Sequence, residues 1–339
     1  MTSEKIITVA GAGIFGLSCA WEIVKRGGKV RVIELAEIGA GSSGGTVGAL
    51  APHAPENWNE KKQVQLEALI AAKDWWHEIE DLSGLPSGYG RTGRLQPLAA
   101  SALERIEQRI EGAKTHWPDW AVMRVLRGDE VQRFGLLIPA SADGLWLYDN
   151  LTARLHPRLA LYALSAALRA KGVEILEHTR PDPDMPAIWA TGVAGLAPFG
   201  GNGVKGQSAL LRFDAADAPQ VFADALHLVP HCDGTIGIGS TSEREFMDLN
   251  TDEQLDGLIA KAQMICPVLA GAEVVDRWAG IRPRAKSRAP VLGAWPGRPG
   301  HYVANGGFKI GFGMAPAVGA MMAELLIHGR DLIPDGFRP

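Results

Sequence analysis

Three glycines and one acid carry the first chemistry legible in this sequence. Gly11, Gly13 and Gly16 sit at G-x-G-x-x-G spacing, and Glu34 follows Gly16 by eighteen residues. In such a turn the first glycine permits a tight bend, and the second lets backbone approach a pyrophosphate. The third lets a helix pack closely on a strand. A helix starting there turns unpaired N–H groups and its positive dipole end toward the phosphates. Glu34 can accept hydrogen bonds from ribose hydroxyls, while its charge disfavours a 2′-phosphate. The pattern points to an adenine dinucleotide and does not separate nicotinamide from flavin.

The elements needed to hold that turn flank it. Ile6, Ile7, Val9 and Ala10 form the short apolar run of a buried parallel strand, starting near Lys5. An amphipathic helix through about Arg26 and the stop Gly27-Gly28 come next. Val30, Val32 and Ile33 then mark a second strand that Glu34 closes. The glycine- and serine-rich residues 38–53 read as a segment whose backbone approaches a phosphate or a flat ring. Val47, Ala49 and Leu50 argue that it is packed rather than a flexible linker.

Composition narrows the class. At 339 residues the chain can bury a sizeable core and is expected to divide into two domains. Its 46% hydrophobic and 21% charged residues suit a soluble enzyme, and a net charge of −4 gives no attraction to nucleic acid or an anionic membrane. Cys19, Cys232 and Cys266 are far apart and odd in number, so they are expected as small core residues, with neither disulfides nor a metal. No leader-like basic flank and apolar run precedes the first strand, and no apolar run reaches spanning length, the final helix included. A cytoplasmic location is the expectation.

Further along, residues 60–83 place Leu66, Leu69, Trp75, Trp76 and Ile79 at helical spacing, predicting a long helix whose tryptophans pack in a core. Strands are expected at 93–98 and 145–148, with helical stretches near 101–115 and 128–134. A helix at 156–171 and a strand at 173–176 fit a crossover returning to the parallel sheet. Residues 187–190 lead as a strand into Thr191-Gly192. From 204 to about 279 the texture becomes strands at 208–213, 226–230, 235–240 and 274–281 around one helix at 251–266. A strand at 301–304 and a helix at 315–328 close the pattern. The expected class is α/β and α+β: a Rossmann-like domain (1–55, 150–205 and 290–339) with a parallel sheet flanked by helices. A substrate domain on a mixed or antiparallel sheet (56–149 and 206–289) is inserted into it.

Several short motifs occur in a telling order: the N-terminal unit, the small-residue stretch, His156-Pro157, Ala190-Thr191-Gly192 and Val204-Lys205-Gly206-Gln207. Gly237-Ile238-Gly239-Ser240-Thr241, Trp278-Ala279-Gly280-Ile281-Arg282-Pro283 and Ala304-Asn305-Gly306-Gly307-Phe308-Lys309-Ile310-Gly311 follow. In this order the chain resembles the D-amino-acid oxidase superfamily of FAD-dependent oxidoreductases, in its glycine oxidase-like branch. The resemblance implies FAD, with its ring between the two domains. It implies cofactor contacts from Gly11, Ala12, Gly13, Ile14, Phe15 and Gly16, and from Glu34 and Leu35. Gly41, Ser42, Ser43, Ala49, Leu50 and Ala51 would add to them, as would Thr191, Gly192 and the loop of Gly306, Gly307, Phe308, Lys309, Ile310 and Gly311.

The resemblance also implies a catalytic set. Arg282 matches the arginine that grips a substrate carboxylate, and a guanidinium suits that task with its planar fork of donors. Lys309 falls in the loop at the flavin edge, where a cation can hold the carboxylate's second oxygen or favour reduced flavin. His227 falls where relatives often place a substrate-facing tyrosine. His53 is a further candidate for facing the flavin. Three departures matter: only residues 177–186 link the strand at 173–176 to Ala190-Thr191-Gly192, where relatives carry extra strands, which trims the FAD domain near a usual adenine contact, and two more bear on selectivity. Lys286, Ser287 and Arg288 stand where an acid is usual, and Gly307-Phe308-Lys309 replaces a usual Gly-His pattern.

The expected activity is oxidation of glycine, a small D-amino acid or an N-alkyl glycine, by hydride transfer from the α-carbon to flavin N5. The imine hydrolyses and dioxygen is reduced to peroxide. A dehydrogenase feeding a quinone or carrier protein, a non-catalytic FAD-binding protein and a module acting on modified tRNA are the alternatives. The acidic balance argues against the last. Oligomeric state stays open.

Overall fold

The computed structural model describes residues 6–339. Lys5, the expected start of the first strand, lies outside the described residues.

The dinucleotide motif is embedded in a six-stranded sheet. Its order is Val291–Ala294, Tyr302–Asn305, Ala187–Trp189, Ile7–Ala10, Val30–Ile33 and Glu174–Leu176. Every neighbouring pair is parallel except Val291–Ala294, which runs antiparallel along Tyr302–Asn305 at the edge. The helices Ile14–Lys25, Glu60–Ser83, Pro157–Ala170 and Gly311–His328 share one apolar core with this sheet. Leu17, Trp21, Trp76, Leu164, Val318 and Met322 are shut off from solvent there. Each such side chain contributes roughly 1.5–3 kcal/mol of burial.

Four expectations change here, one of them that the last helix falls short of spanning length. The helix Glu60–Ser83, assigned to the inserted domain, also builds the core of the parallel sheet: Leu69, Ala72, Trp75, Trp76 and Ile79 bury against the other helices, while Leu66 packs with Met123 and Leu147 of the second sheet. Trp75 Nε1 also donates to Glu22 Oε1 of the first helix at 2.7 Å. The last helix starts at Gly311, ahead of the expected residue 315, so Pro316 lies in its interior. At 18 residues this helix is long and apolar enough to cross a membrane by length and composition. Its apolar character has another cause: Met314, Val318 and Met322 pack into the protein core. Cys232, expected in the core, is exposed, whereas Cys19 and Cys266 are buried.

The second sheet has eight strands, ordered Val274–Arg284, Asn202–Arg212, Thr235–Gly239, Leu226–Pro230, Gln220–Ala223, Arg94–Leu98, Leu145–Asp149 and Met123–Arg127. It is mixed: Gln220–Ala223 runs parallel to Arg94–Leu98, and the other neighbours are antiparallel. The long strands Asn202–Arg212 and Val274–Arg284 place Val204 opposite Arg282 and Gly206 opposite Gly280. The helix Glu253–Ile265 covers this sheet, burying Leu255, Ala262 and Ile265 with Leu228 and Ile238. A small-residue seam joins the two sheets. Thr46 Oγ1 donates to Ser208 Oγ at 2.8 Å, and His231 Nε2 meets the Thr46 carbonyl at 2.9 Å.

Candidate cofactor and substrate cavity

A cavity of about 670 Å³ opens beyond the carboxyl ends of the parallel strands and runs to the wall of the second sheet. Ligands of open α/β sheets sit in this crevice because strand ends and helix N-termini converge there. The volume is within the range of small-molecule and cofactor sites.

Backbone builds the end nearest the first motif. The first helix begins after Gly13, which has no side chain to cap it, and no acid occupies its first turn. Its terminal Ile14 N–H is met by Ser43 Oγ at 3.1 Å. Gly16 lets the helix lie against the turn: a Cβ there would stand 1.9 Å from the Gly11 carbonyl oxygen. Glu34, just past the second strand, accepts from the N–H groups of Ala12 at 2.7 Å and Ala36 at 3.0 Å. Those bonds fix its carboxylate at the cavity wall. Across the cavity, Gly311, Phe312 and Gly313 open the last helix, again with no side-chain cap and no acid in the first turn.

Side chains from distant strands build the other end. Arg282 is only 9% exposed. Its Nη1 donates to Ser240 Oγ at 2.5 Å, and its Nη2 donates to the carbonyls of Thr241 at 2.6 Å and Lys205 at 3.3 Å. Gly206 makes room for it, since a Cβ there would lie 2.6 Å from the guanidinium carbon. Burial pushes Arg282 down to about 10, with Glu243 opposing, so it stays cationic at neutral pH. Behind it, buried Lys205 lies 3.5 Å from Glu243 and 3.7 Å from Asp252. Lys309 sits over the Phe308 ring at 5.7 Å, its pKa drawn below the usual lysine value by burial and then by Arg282. His227, in Leu226–Pro230, packs on Phe222 with ring centroids 4.5 Å apart. Burial, followed by the charges of Arg94 and Lys309, holds His227 down at about 3, so it is neutral at physiological pH.

Most of the residues singled out in the sequence meet at this one cavity. Gly11, Gly13, Ile14, Phe15, Glu34, Leu35, Gly41, Ser42, Ser43, Ala49, Leu50 and Ala51 line it. Thr191, Gly192, Gly307, Phe308, Lys309, Ile310 and Gly311 do so too, with His227 and Arg282. Ala12, Gly16 and Gly306 stand one layer back. His53 does not line it either; its N–H donates to Gln65 Oε1 at 2.8 Å, and Gln65 itself faces the cavity. Sequence reasoning passed over Thr46, Phe222, Ser240 and Trp278 as site residues. Ser240 and Trp278 lay inside quoted motifs, but Phe222 gave no signal before its strand was paired with Leu226–Pro230.

An extended dinucleotide fits these residues. A carboxylate ends the cavity, two helix N-termini without a cap from their own N-cap residue open onto it, and glycine and serine backbone lies between. At the far end the buried His227 Nδ1 and Arg282 Nε have no partner among the described residues. Buried polar atoms are normally satisfied, so the two stand out in residues that line the cavity.

Fold and cavity together define an oxidoreductase of the adenine-dinucleotide class. The chain belongs to the DAO family of FAD-dependent oxidoreductases, whose model matches residues 7–183 and 184–325. A glycine oxidase of Pseudomonas aeruginosa is 27% identical over 98% of this chain and 97% of its own length. The solved glycine oxidase of Geobacillus kaustophilus superimposes with a TM-score of 0.86 at 21% identity, covering 98% of this chain and 97% of that one. An iminodiacetate oxidase from Chelativorans sp. BNC1 has the same TM-score and 21% identity, with 99% of both chains covered. The protein is therefore an FAD-dependent enzyme of amine or amino-acid oxidation.

Proposed function

We propose that the protein oxidises a small amino acid or N-alkyl glycine at its α-carbon, with dioxygen as the final acceptor, and that Arg282 anchors the substrate carboxylate. The observation that carries this reading is a buried guanidinium at the cavity wall with unspent donors. Of the five N–H groups of an arginine, Ser240, Thr241 and Lys205 take three, leaving Nε–H and one Nη1–H. A carboxylate can take these as charge-assisted bonds. Lys309 supplies a second cation beside the same ring.

FAD, when bound, supplies a two-electron hydride acceptor. Gly11 to Phe15, Ser42, Ser43 and the first helix N-terminus are suited to its pyrophosphate, Glu34 to its ribose, and the last helix N-terminus to its ring. The residues at the far end then orient the substrate. Arg282 and Lys309 fix the carboxylate, and the neutral His227 can accept a hydrogen bond from the amine at its unpartnered Nδ1. Held at both groups, the substrate presents its α C–H in one direction.

The test is to purify the yellow holoprotein and mix it anaerobically with glycine, D-amino acids and N-methyl amino acids. Bleaching of the flavin by a member of this set is expected, with oxygen consumption matching turnover in air. A flavin that no amine bleaches overturns the reading. Turnover with an artificial dye but not with oxygen would replace dioxygen by a carrier.

A further inference from the structure

Behind Arg282 lies a group of buried polar side chains for which the reaction has no direct use. Lys205 and Gln207, from the motif Val204-Lys205-Gly206-Gln207, are 3% and 0% exposed. They stand on Asn202–Arg212, between the strand that carries Arg282 and Thr235–Gly239. Thr241 and Glu243 follow Thr235–Gly239, and Asp252 caps the helix Glu253–Ile265. Both amide hydrogens of Gln207 are used: Nε2 donates to Glu243 Oε1 at 3.1 Å and to Asp252 Oδ1 at 2.8 Å. Its Oε1 accepts the Asp252 N–H at 2.8 Å. Lys205 Nζ lies 3.5 Å from Glu243, 3.7 Å from Asp252 and 3.9 Å from Asp248.

Glu243 is where this network reaches Arg282. The main chains of Glu243 and Lys205 exchange two hydrogen bonds at 2.9 Å, so the Lys205 carbonyl serves both the Glu243 N–H and Arg282 Nη2. The Glu243 carboxylate also accepts from Thr241 Oγ1. That hydroxyl in turn accepts the Gln207 N–H at 2.8 Å, and the Thr241 N–H donates to the Gln207 carbonyl at 3.2 Å. Thr241, held in this way, offers its own carbonyl to Arg282 Nη2 at 2.6 Å. Glu243 is therefore bonded to both residues whose carbonyls hold Nη2. Seating the buried Lys205 ammonium does not call for this arrangement: Asp252 and Asp248 also face it, and the Thr241 bond adds nothing to it. A polar network whose members are satisfied rigidifies what it holds, and a rigid hold on Nη2 sets where the remaining Arg282 donors point.

We propose that Glu243 is the positioning residue of the carboxylate anchor, fixing the direction of the Arg282 guanidinium through the Thr241 and Lys205 carbonyls. This rests on the reading that Arg282 grips the substrate carboxylate, and it extends that grip to a residue outside the cavity wall. The charge of Glu243 serves the same end, because it opposes the downward pull of burial on Arg282 and keeps the guanidinium protonated. The other charges near the guanidinium are Lys205, Asp248 and Asp252 on the network side, with Lys309 and Arg284 around the Phe308 ring.

Carboxylate binding by the holoprotein tests it, with butyrate as a probe that has no amine and so does not react. The dissociation constant is read from the perturbed visible spectrum, on variants of matched FAD content. Glu243→Gln keeps the shape and loses the charge; it should weaken butyrate about tenfold, the size of one charge-assisted contact. Thr241→Val cuts the tie to Glu243 and leaves the carbonyl in place. It should also weaken butyrate, and Thr241→Ser should restore the affinity. Binding by the parent should fall away as Arg282 loses its proton near pH 10, and in Glu243→Gln that fall should move to lower pH. A role confined to stability would lower the urea midpoint and leave the affinity and the pH of the fall unchanged. That result, or parent-like binding by either variant, overturns the positioning role while the anchor stands, provided Arg282→Ala has lost butyrate. A parent that takes up no butyrate, or an Arg282→Ala that binds it as tightly, removes the anchor and the positioning role with it.

Discussion

The two ends of the cavity are built on opposite plans. At the Glu34 end the contacts are close in sequence and largely backbone: Gly11 to Gly16 lie in one strand–helix–strand unit, Glu34 just past it and Ser43 in the next turn. At the Arg282 end nothing is local. Arg282, His227, Ser240 and Lys309 come from different strands and a loop, and meet only because two sheets close against one another. A backbone-built site tolerates few changes of shape but many of side chain, whereas a side-chain-built site can be retuned residue by residue. The contrast suits one end that holds a constant cofactor and another that selects a substrate.

Substitutions at each end should separate these plans, the largest effect coming from the backbone end. Gly16→Ala places a methyl against the Gly11 carbonyl, where the available distance is 1.9 Å. Forced repacking of that kind costs on the order of 3 kcal/mol, so the variant should emerge without yellow colour and with a lowered urea midpoint. A stable yellow Gly16→Ala would break the claim that backbone contact fixes this end.

Arg282→Ala should instead keep the cofactor and lose substrate. A hydrogen bond to a charged group contributes about 1.5–3 kcal/mol, so KM should rise roughly 10- to 100-fold with FAD content unchanged. Steady-state kinetics beside the visible spectrum checks this, and unaltered kinetics would remove Arg282 from the substrate.

The seam between the ends should respond to acid. His231 is fully buried; its Nε2 meets the Thr46 carbonyl, and its Nδ1 has no partner among the described residues. Burial pushes it down to about 4, against the weaker upward pull of the Thr46 bond. Unfolded, it titrates near its ordinary 6.5. Above that value both states are neutral and the histidine makes no difference. As pH falls from 6.5 toward 4, the unfolded chain takes the proton first and the fold loses stability. Between pH 7 and pH 5 the loss from this group is about 2 kcal/mol. Urea unfolding of the protein and of His231→Gln at the two pH values measures it: the variant should lose about 2 kcal/mol less, the loss from His227 remaining.

The smallest effect is expected at Glu34. Glu34→Gln keeps an acceptor but loses the charge, and should weaken FAD binding to apoprotein about tenfold, read by fluorescence titration. No change in affinity would detach Glu34 from the cofactor.

Elements long enough to show a period were legible: the helix at 60–83, the helix after His156-Pro157 and the strand at 226–230 stand where the pattern placed them, and the strand expected at 235–240 ends one residue earlier. The four-residue ribbons Gln220–Ala223 and Val291–Ala294 did not stand out, because such short runs show too little alternation, and Met123–Arg127 is interrupted by Arg124 and Arg127. The helix Glu60–Ser83 was found but given to one sheet, whereas it packs toward both. An amphipathic stripe states that a face is buried and not what buries it.

By itself the sequence determined the dinucleotide unit, since a glycine turn, its helix and the closing acid interact within about thirty residues and need no distant partner. Its ordered motifs also carried the resemblance to the flavin family. Only the tertiary structure decided what surrounds Arg282. The close fit over Gly206, the donors left unspent and the cations around Phe308 depend on strands far apart in the chain being brought together. Charge acts through space, and neighbours in space at this end are not neighbours in sequence.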